Sequence, residues 1–268
     1  MSNFLFRSFI ELSSRKTVSK TTGALAKSSV SRLFIRRFAK LYHINIEEAE
    51  LPIQQYKSLN QFFSRRLKTG IRPINDTPSS CISPVDAVIT GMGPIDDLTM
   101  LQVKGQDYRI DELLQNKKQA ERYRNGYYFV LYLSPTDYHR IHVPVSGKVT
   151  EREHLPGRVY PVNEFGLTKM KKVLSRNERL VTYIDYTHGE IAVVKVGALN
   201  VSSIQYVLPL AEQVTKGDEL AYFEFGSTVV LLMQENEFEV AANLSLGSRV
   251  KMGTALGQMT SMLSSKMQ

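Results

Sequence analysis

The chain predicts an α+β fold, in which a β-rich body of mostly antiparallel sheets follows amphipathic helices at the N-terminal end. Three observations carry the prediction. Hydrophobic residues make up 43% of the chain and charged ones 22%, the balance of a folded globular protein rather than a disordered one. Apolar residues recur at helical spacing as far as Leu41, whereas beyond Val85 they gather into short β-branched and aromatic runs. At 268 residues the chain can bury a core that needs neither disulfides nor metal. Its single cysteine, Cys81, has no internal partner and reads as a small core residue of a protein from a reducing compartment.

The N-terminal segment carries the whole charge excess. Of 34 basic and 26 acidic residues, nine and one fall within residues 1–46, which leaves 25 of each sign beyond. Leu5, Phe9 and Leu12, and then Val30, Phe34, Phe38 and Leu41, recur at helical spacing, while Arg32, Arg36 and Lys40 line another face. That is the pattern of helices lying on an anionic membrane surface. Arg7 and Glu11 interrupt the apolar stretch near the start, so neither a spanning helix nor a secretory signal fits. The expectation is a membrane-association segment at 1–46, a catalytic domain at 47–268, and peripheral attachment at the cytoplasmic face of a membrane. A plainer alternative packs both helices on the body with their basic faces solvated. A transit peptide ranks lower, because the periodicity continues past residue 40.

Next comes a short helix in SLNQFFSRRLKTGIRP, with Ser58 and Gln61 as a capping-box pair, Phe62, Phe63 and Leu67 inward, and Gly70 and Pro73 as the stop. Strands follow near Val85–Ile89, Tyr127–Leu133, Leu180–Tyr186, Ile191–Val196, Val201–Val207, Ala221–Phe225 and Val229–Met233, with THGE after Tyr186 as a hairpin turn. One helix interrupts them, capped by Asp111 in DELLQ. Two C-terminal fragments, VTKGDELAYFEFG and LGSRVKMGTALGQM, share a lysine-bearing turn, a glycine and a strand. They resemble turns of lipoyl- or biotinyl-type sandwich barrels, although glycine turns are common to all β proteins.

The chemistry-bearing residues fall in SPVDA at Ser83–Ala87, DYHRIHVP at Asp137–Pro144, and FEFGST at Phe223–Thr228. Separately each is an ordinary strand end or turn. Together they supply a carboxylate, an imidazole and a hydroxyl, the set an activated serine requires. His139 and His142 could instead form a His-x-x-His zinc site, but no cysteine or acid cluster completes it, so no metal is expected. No glycine-rich phosphate loop leads from a strand into a helix. The N-terminal aromatics share the apolar face and are not interleaved with the basic one, which argues against nucleic acid.

With these three fragments in register, and with LNQFFSRRLKTGIRPI before them and PGRVYPVN at Pro156–Asn163, the chain resembles the phosphatidylserine decarboxylases from about Leu59 to Leu232. It departs from them at Ala87, commonly Gly in the family, and at Phe225, commonly Leu. The resemblance implies an inactive precursor in which the Ser227 hydroxyl attacks the Gly226 carbonyl. His142 is then the base, and Asp86 the carboxylate that fixes its tautomer. An ester forms and eliminates to dehydroalanine, which hydrolyses to ammonia and a pyruvoyl group derived from Ser227. The products are a β chain of residues 1–226 and an α chain of residues 227–268, held together as a heterodimer, with no exogenous cofactor. The pyruvoyl ketone would form a Schiff base with phosphatidylserine in an anionic membrane and take up the electrons released as carbon dioxide leaves, yielding phosphatidylethanolamine. His139 is the candidate to return the proton. Two other readings stand beside this one: a noncatalytic membrane-associated β module, and a pyruvoyl decarboxylase of a soluble amino acid.

Overall fold

The computed structural model describes residues 23–97, 99–103, 106–160, 162, 170–187, 189–198, 204–224, 227–235 and 238–260. Its strands are β1 (Ser80–Ile82), β2 (Ala87–Pro94), β3 (Thr99–Val103), β4 (Gln106–Arg109), β5 (Tyr127–Leu133), β6 (Arg140–His142), β7 (Gly147–Leu155), β8 (Arg179–Tyr186), β9 (Gly189–Gly197), β10 (Ile204–Tyr206), β11 (Gln213–Val214), β12 (Glu219–Phe223), β13 (Ser227–Met233), β14 (Phe238–Val240), β15 (Arg249–Val250) and β16 (Ala255–Met259). The main sheet has eight strands in the order β11-β7-β8-β9-β13-β5-β2-β15, and every pairing within it is antiparallel.

The centre of that sheet explains why its strands read as continuous apolar runs. In β13, Val229, Leu231 and Met233 face one core, while Val230 and Leu232 face another, because successive side chains point to opposite faces. A strand covered on both sides has no polar face to show. One core is closed by α3 (Ile110–Leu114), α4 (Lys117–Glu121) and α5 (Val173–Arg176) through Leu113, Ala120 and Leu174. The other is closed by the small sheets β1-β16-β14 and β10-β12-β6 through Cys81, Ile141, Phe223 and Leu256.

The N-terminal part packs one face and exposes another. After helical residues 23–27, a 3-10 helix at Ser29–Phe34 leads into α1 (Ile35–Leu41). Ile35 and Ala39 join Ile44, Tyr56 and Phe62 in a third cluster. The Ser31 hydroxyl accepts from the Leu59 amide at 2.9 Å, which ties this turn to α2 (Leu59–Phe63). Phe38 is half-buried against Phe63, while Val30, Leu33, Phe34 and Leu41 remain exposed beside the exposed Arg32, Arg36 and Lys40. The residues before 23 lie outside the described part, as do Leu5, Phe9 and Leu12.

Several elements differ from the sequence reading. Ser58 does cap α2, accepting from the Gln61 amide at 3.2 Å, but the Gln61 side chain reaches back to the Lys57 amide rather than that of Ser58. Asp111 is not a cap. It sits in the first turn of α3, where Arg109 is the residue before the helix, and its carboxylate pairs with that arginine. The strand expected at Val201–Val207 is observed only as β10, with 201–203 outside the described residues. β7 carries GKVTEREHL, too charged to read as a strand. The hairpin after Tyr186 is present, with Tyr186 paired to Gly189.

Candidate active site

Asp86 stands in the loop between β1 and β2, and His142 ends β6. Neighbouring backbone joins the two: the His142 amide donates to the Pro84 carbonyl at 2.8 Å. SPVDA and DYHRIHVP are therefore packed against each other, over 50 residues apart in sequence. Both side chains are buried.

The carboxylate of Asp86 is held by a guanidinium fork. Arg72 Nε donates to Oδ1 at 2.9 Å and Nη2 to Oδ2 at 2.6 Å, and the Met252 amide donates to Oδ1 at 2.9 Å. Arg72 also reaches Glu48 Oε2 at 2.7 Å, and although burial opposes its charge, the bonds to these two carboxylates raise its pKa. Bidentate, charge-assisted pairs of this kind are the strong ones.

His142 is oriented differently from the expectation. Its Nδ1 lies 2.7 Å from the Gly217 carbonyl, which can only accept, so Nδ1 carries the proton. Nε2 then holds the lone pair and accepts from the Tyr138 hydroxyl at 3.0 Å. The tautomer that leaves Nε2 basic is thus fixed by a backbone carbonyl, not by a hydrogen bond donated to Asp86, whose acceptor sites are taken up by Arg72 and Met252. Gly217 makes this possible: it has φ +93° in the turn between β11 and β12, a conformation that side chains disfavour. Burial pushes the His142 pKa down, and the bond to Gly217 partly opposes that shift.

His139 precedes β6 and is fully buried, its ring 4.0 Å from that of Phe63. Nδ1 donates to the Asp137 carbonyl at 2.8 Å, and among the described residues Nε2 has no partner. Burial pushes its pKa down to about 3, so the ring is neutral near pH 7 and Nε2 bears no proton. Its backbone carbonyl accepts from the Phe223 amide at 3.0 Å, three residues before the expected scissile dipeptide begins. Asp137 itself is structural, accepting from the Ser134 amide and hydroxyl and from Arg249.

Gly226 and Phe225 lie outside the described residues, as does the Ser227 side chain. The backbone of Ser227 opens β13, between Leu133 of β5 and Gly197 of β9. The neighbouring Thr228 is buried, with Oγ1 unpartnered among the described residues. Sequence reasoning missed Tyr138, Arg72 and Arg65, although all three fall inside the quoted motifs.

Beside these residues lies a cleft of about 330 Å³ lined by Arg65, Arg72, Asp86, Tyr138, Arg249 and Lys251 among others. Among the described residues no group of three or more His, Cys, Asp or Glu could hold a metal ion, and no helix is long and apolar enough to cross a membrane.

The family described as phosphatidylserine decarboxylase matches residues 59–258. The phosphatidylserine decarboxylase proenzyme of Geobacillus kaustophilus is 43% identical over 257 residues, covering 96% of this chain and 97% of the relative. That of Anoxybacillus flavithermus is 45% identical over 258 residues, with the same coverage of each. The Bacillus anthracis proenzyme is 43% identical over 253 residues, covering 94% and 96%. Among solved structures, a glucose permease IIA from Mycoplasma capricolum aligns with TM-score 0.32 at 15% identity over 66% of this chain and 93% of its own, too remote to bear on the site. With a match across the body of the chain and relatives alike along nearly all of it, this chain belongs to the phosphatidylserine decarboxylase family.

Proposed function

We propose that this chain is the precursor of a decarboxylase that converts phosphatidylserine to phosphatidylethanolamine and carbon dioxide, and that it cuts itself between Gly226 and Ser227. The observation that carries the reading is the base. His142 has its tautomer locked by Gly217, so Nε2 carries the lone pair and takes the Ser227 hydroxyl proton near neutral pH once the Tyr138 hydroxyl that bonds it has turned away. Asp86, anchored on Arg72, supplies fixed negative charge near the imidazolium that forms.

The pyruvoyl group expected from Ser227 would supply an electrophilic carbonyl and an electron sink for the departing carbon dioxide. The surroundings fit a polar group there. Thr228 Oγ1 and His139 Nε2 are both buried without a partner among the described residues, and such orphans ask for one. His139 is the candidate for carrying the returning proton. Because its free ring is neutral, it must first take a proton up, and an anion brought beside Nε2 would raise its pKa.

The exposed apolar face of Val30, Leu33, Phe34 and Leu41 beside basic residues supports docking on an anionic membrane. Peripheral attachment at its cytoplasmic face also suits a chain whose one thiol is free and buried.

Intact mass under denaturing conditions tests the reading. The wild type should give two chains divided at Gly226, the smaller with a pyruvoyl terminus, and Ser227→Ala should give one. A single uncleaved wild-type chain in folded, active protein would overturn it.

A further inference from the structure

Arg65 follows α2 and its guanidinium is almost fully buried, with 4% of the residue exposed. Nε and Nη1 have no hydrogen-bond partner among the described residues. Nη2 makes one long bond of 3.4 Å to the Thr136 carbonyl, and the charge lies 5.3 Å over the Phe62 ring. The other two arginines of the cleft are neutralised, Arg72 by Asp86 and Glu48 and Arg249 by Asp137. Arginine remains protonated under all ordinary conditions, and a buried charge without a counter-ion costs several kcal/mol. A fold that keeps such a charge at the wall of a cleft, next to the Tyr138 that bonds His142, has prepared a place for an anion.

Resting on the reading of the substrate as phosphatidylserine, we propose that Arg65 is the residue that binds the phosphodiester of the lipid head group. The substrate has two anionic groups, and the chemistry chooses between them. The carboxylate loses its charge as carbon dioxide leaves, so a cation paired with it would hold the ground state more tightly than the transition state and slow the reaction. The phosphodiester keeps its charge from substrate to product and gains from a planar fork. Arg65 therefore acts on affinity and leaves the chemical step largely alone.

The test uses the full chain, checked by denaturing mass for processing, as wild type, Arg65→Gln and Arg65→Lys. Calorimetric binding of soluble glycerophosphoethanolamine should weaken at least ~10-fold in Arg65→Gln, the loss of one charge-assisted contact, and recover in part in Arg65→Lys. With phosphatidylserine in mixed micelles, KM should rise about as much while kcat stays within about 3-fold. Binding of inorganic phosphate alone to the wild type, equal to that of glycerophosphoethanolamine, would assign the site to free phosphate and overturn the lipid assignment. Unchanged affinity and KM, or a fall in kcat at constant KM, would overturn the role of Arg65. If Arg65→Gln is not processed, Arg65→Lys decides by the same readouts, since it keeps the buried charge and loses only the fork. A wild type that binds the probe but does not turn over phosphatidylserine would instead count against the function, independently of Arg65.

Discussion

His142 Nε2 carries one lone pair, and Tyr138 occupies it in the precursor. His142→Ala removes the proposed base, and self-cleavage should slow at least ~100-fold, the lower range for general-base catalysis. Tyr138→Phe removes only a competing donor, so cleavage should stay within about 3-fold of the wild type. Time courses of chain separation on denaturing gels distinguish the two. His139 makes a second residue-level prediction through stability. Its folded pKa is about 3 against an ordinary 6.5, so the unfolded chain binds the proton first. The stability is complete above about pH 6.5 and is lost as pH falls toward 3, at about 1.4 kcal/mol per pH unit. Denaturant unfolding on the Ser227→Ala background, where the chain stays whole, should show a slope between pH 6 and 4.5 shallower by about that amount in His139→Gln.

Among elements, the N-terminal helices divide their residues between two jobs. Ile35 and Ala39 hold α1 on the body, whereas Leu33 and Phe34 are 73% and 52% exposed. Leu33→Glu with Phe34→Glu therefore spares the core. Each large apolar side chain withdrawn from a bilayer forfeits about 1.5–3 kcal/mol, so flotation with anionic vesicles should fall more than ~10-fold while processing continues. The apolar periodicity and the basic face were legible in the sequence. That Phe38 turns partly inward while its helical neighbours Phe34 and Leu41 stay out was not, because the division depends on where Phe63 lies.

At the scale of the molecule, the proposed cut falls at the first residue of a central strand. β13 pairs along its whole length with β5 and β9, and its residues from Val229 to Met233 are fully buried. β15 and β16, which would lie further along the α chain, pair with β2 and β1, which would belong to the β chain. The processed protein should run as one species in size exclusion and separate only in denaturant. Elution of a free small chain under native conditions would contradict this.

The sequence by itself determined the β-rich body, because strands such as β13 that are buried on both faces leave a run of apolar residues with no other use. It also determined the candidate set Asp86, His139, His142, Gly226 and Ser227, because the three motifs that hold them stand in register with a family. Tertiary structure alone decided how they are held. Asp86 faces Arg72, and His142 takes its tautomer from Gly217, since these partners come from segments far apart in the chain. Only folding shows which acceptor lies within 3 Å of a ring nitrogen and that, among the described residues, the buried charge of Arg65 is left without a carboxylate. Local patterns record what a residue can do, and its neighbours in space decide which of those things it does.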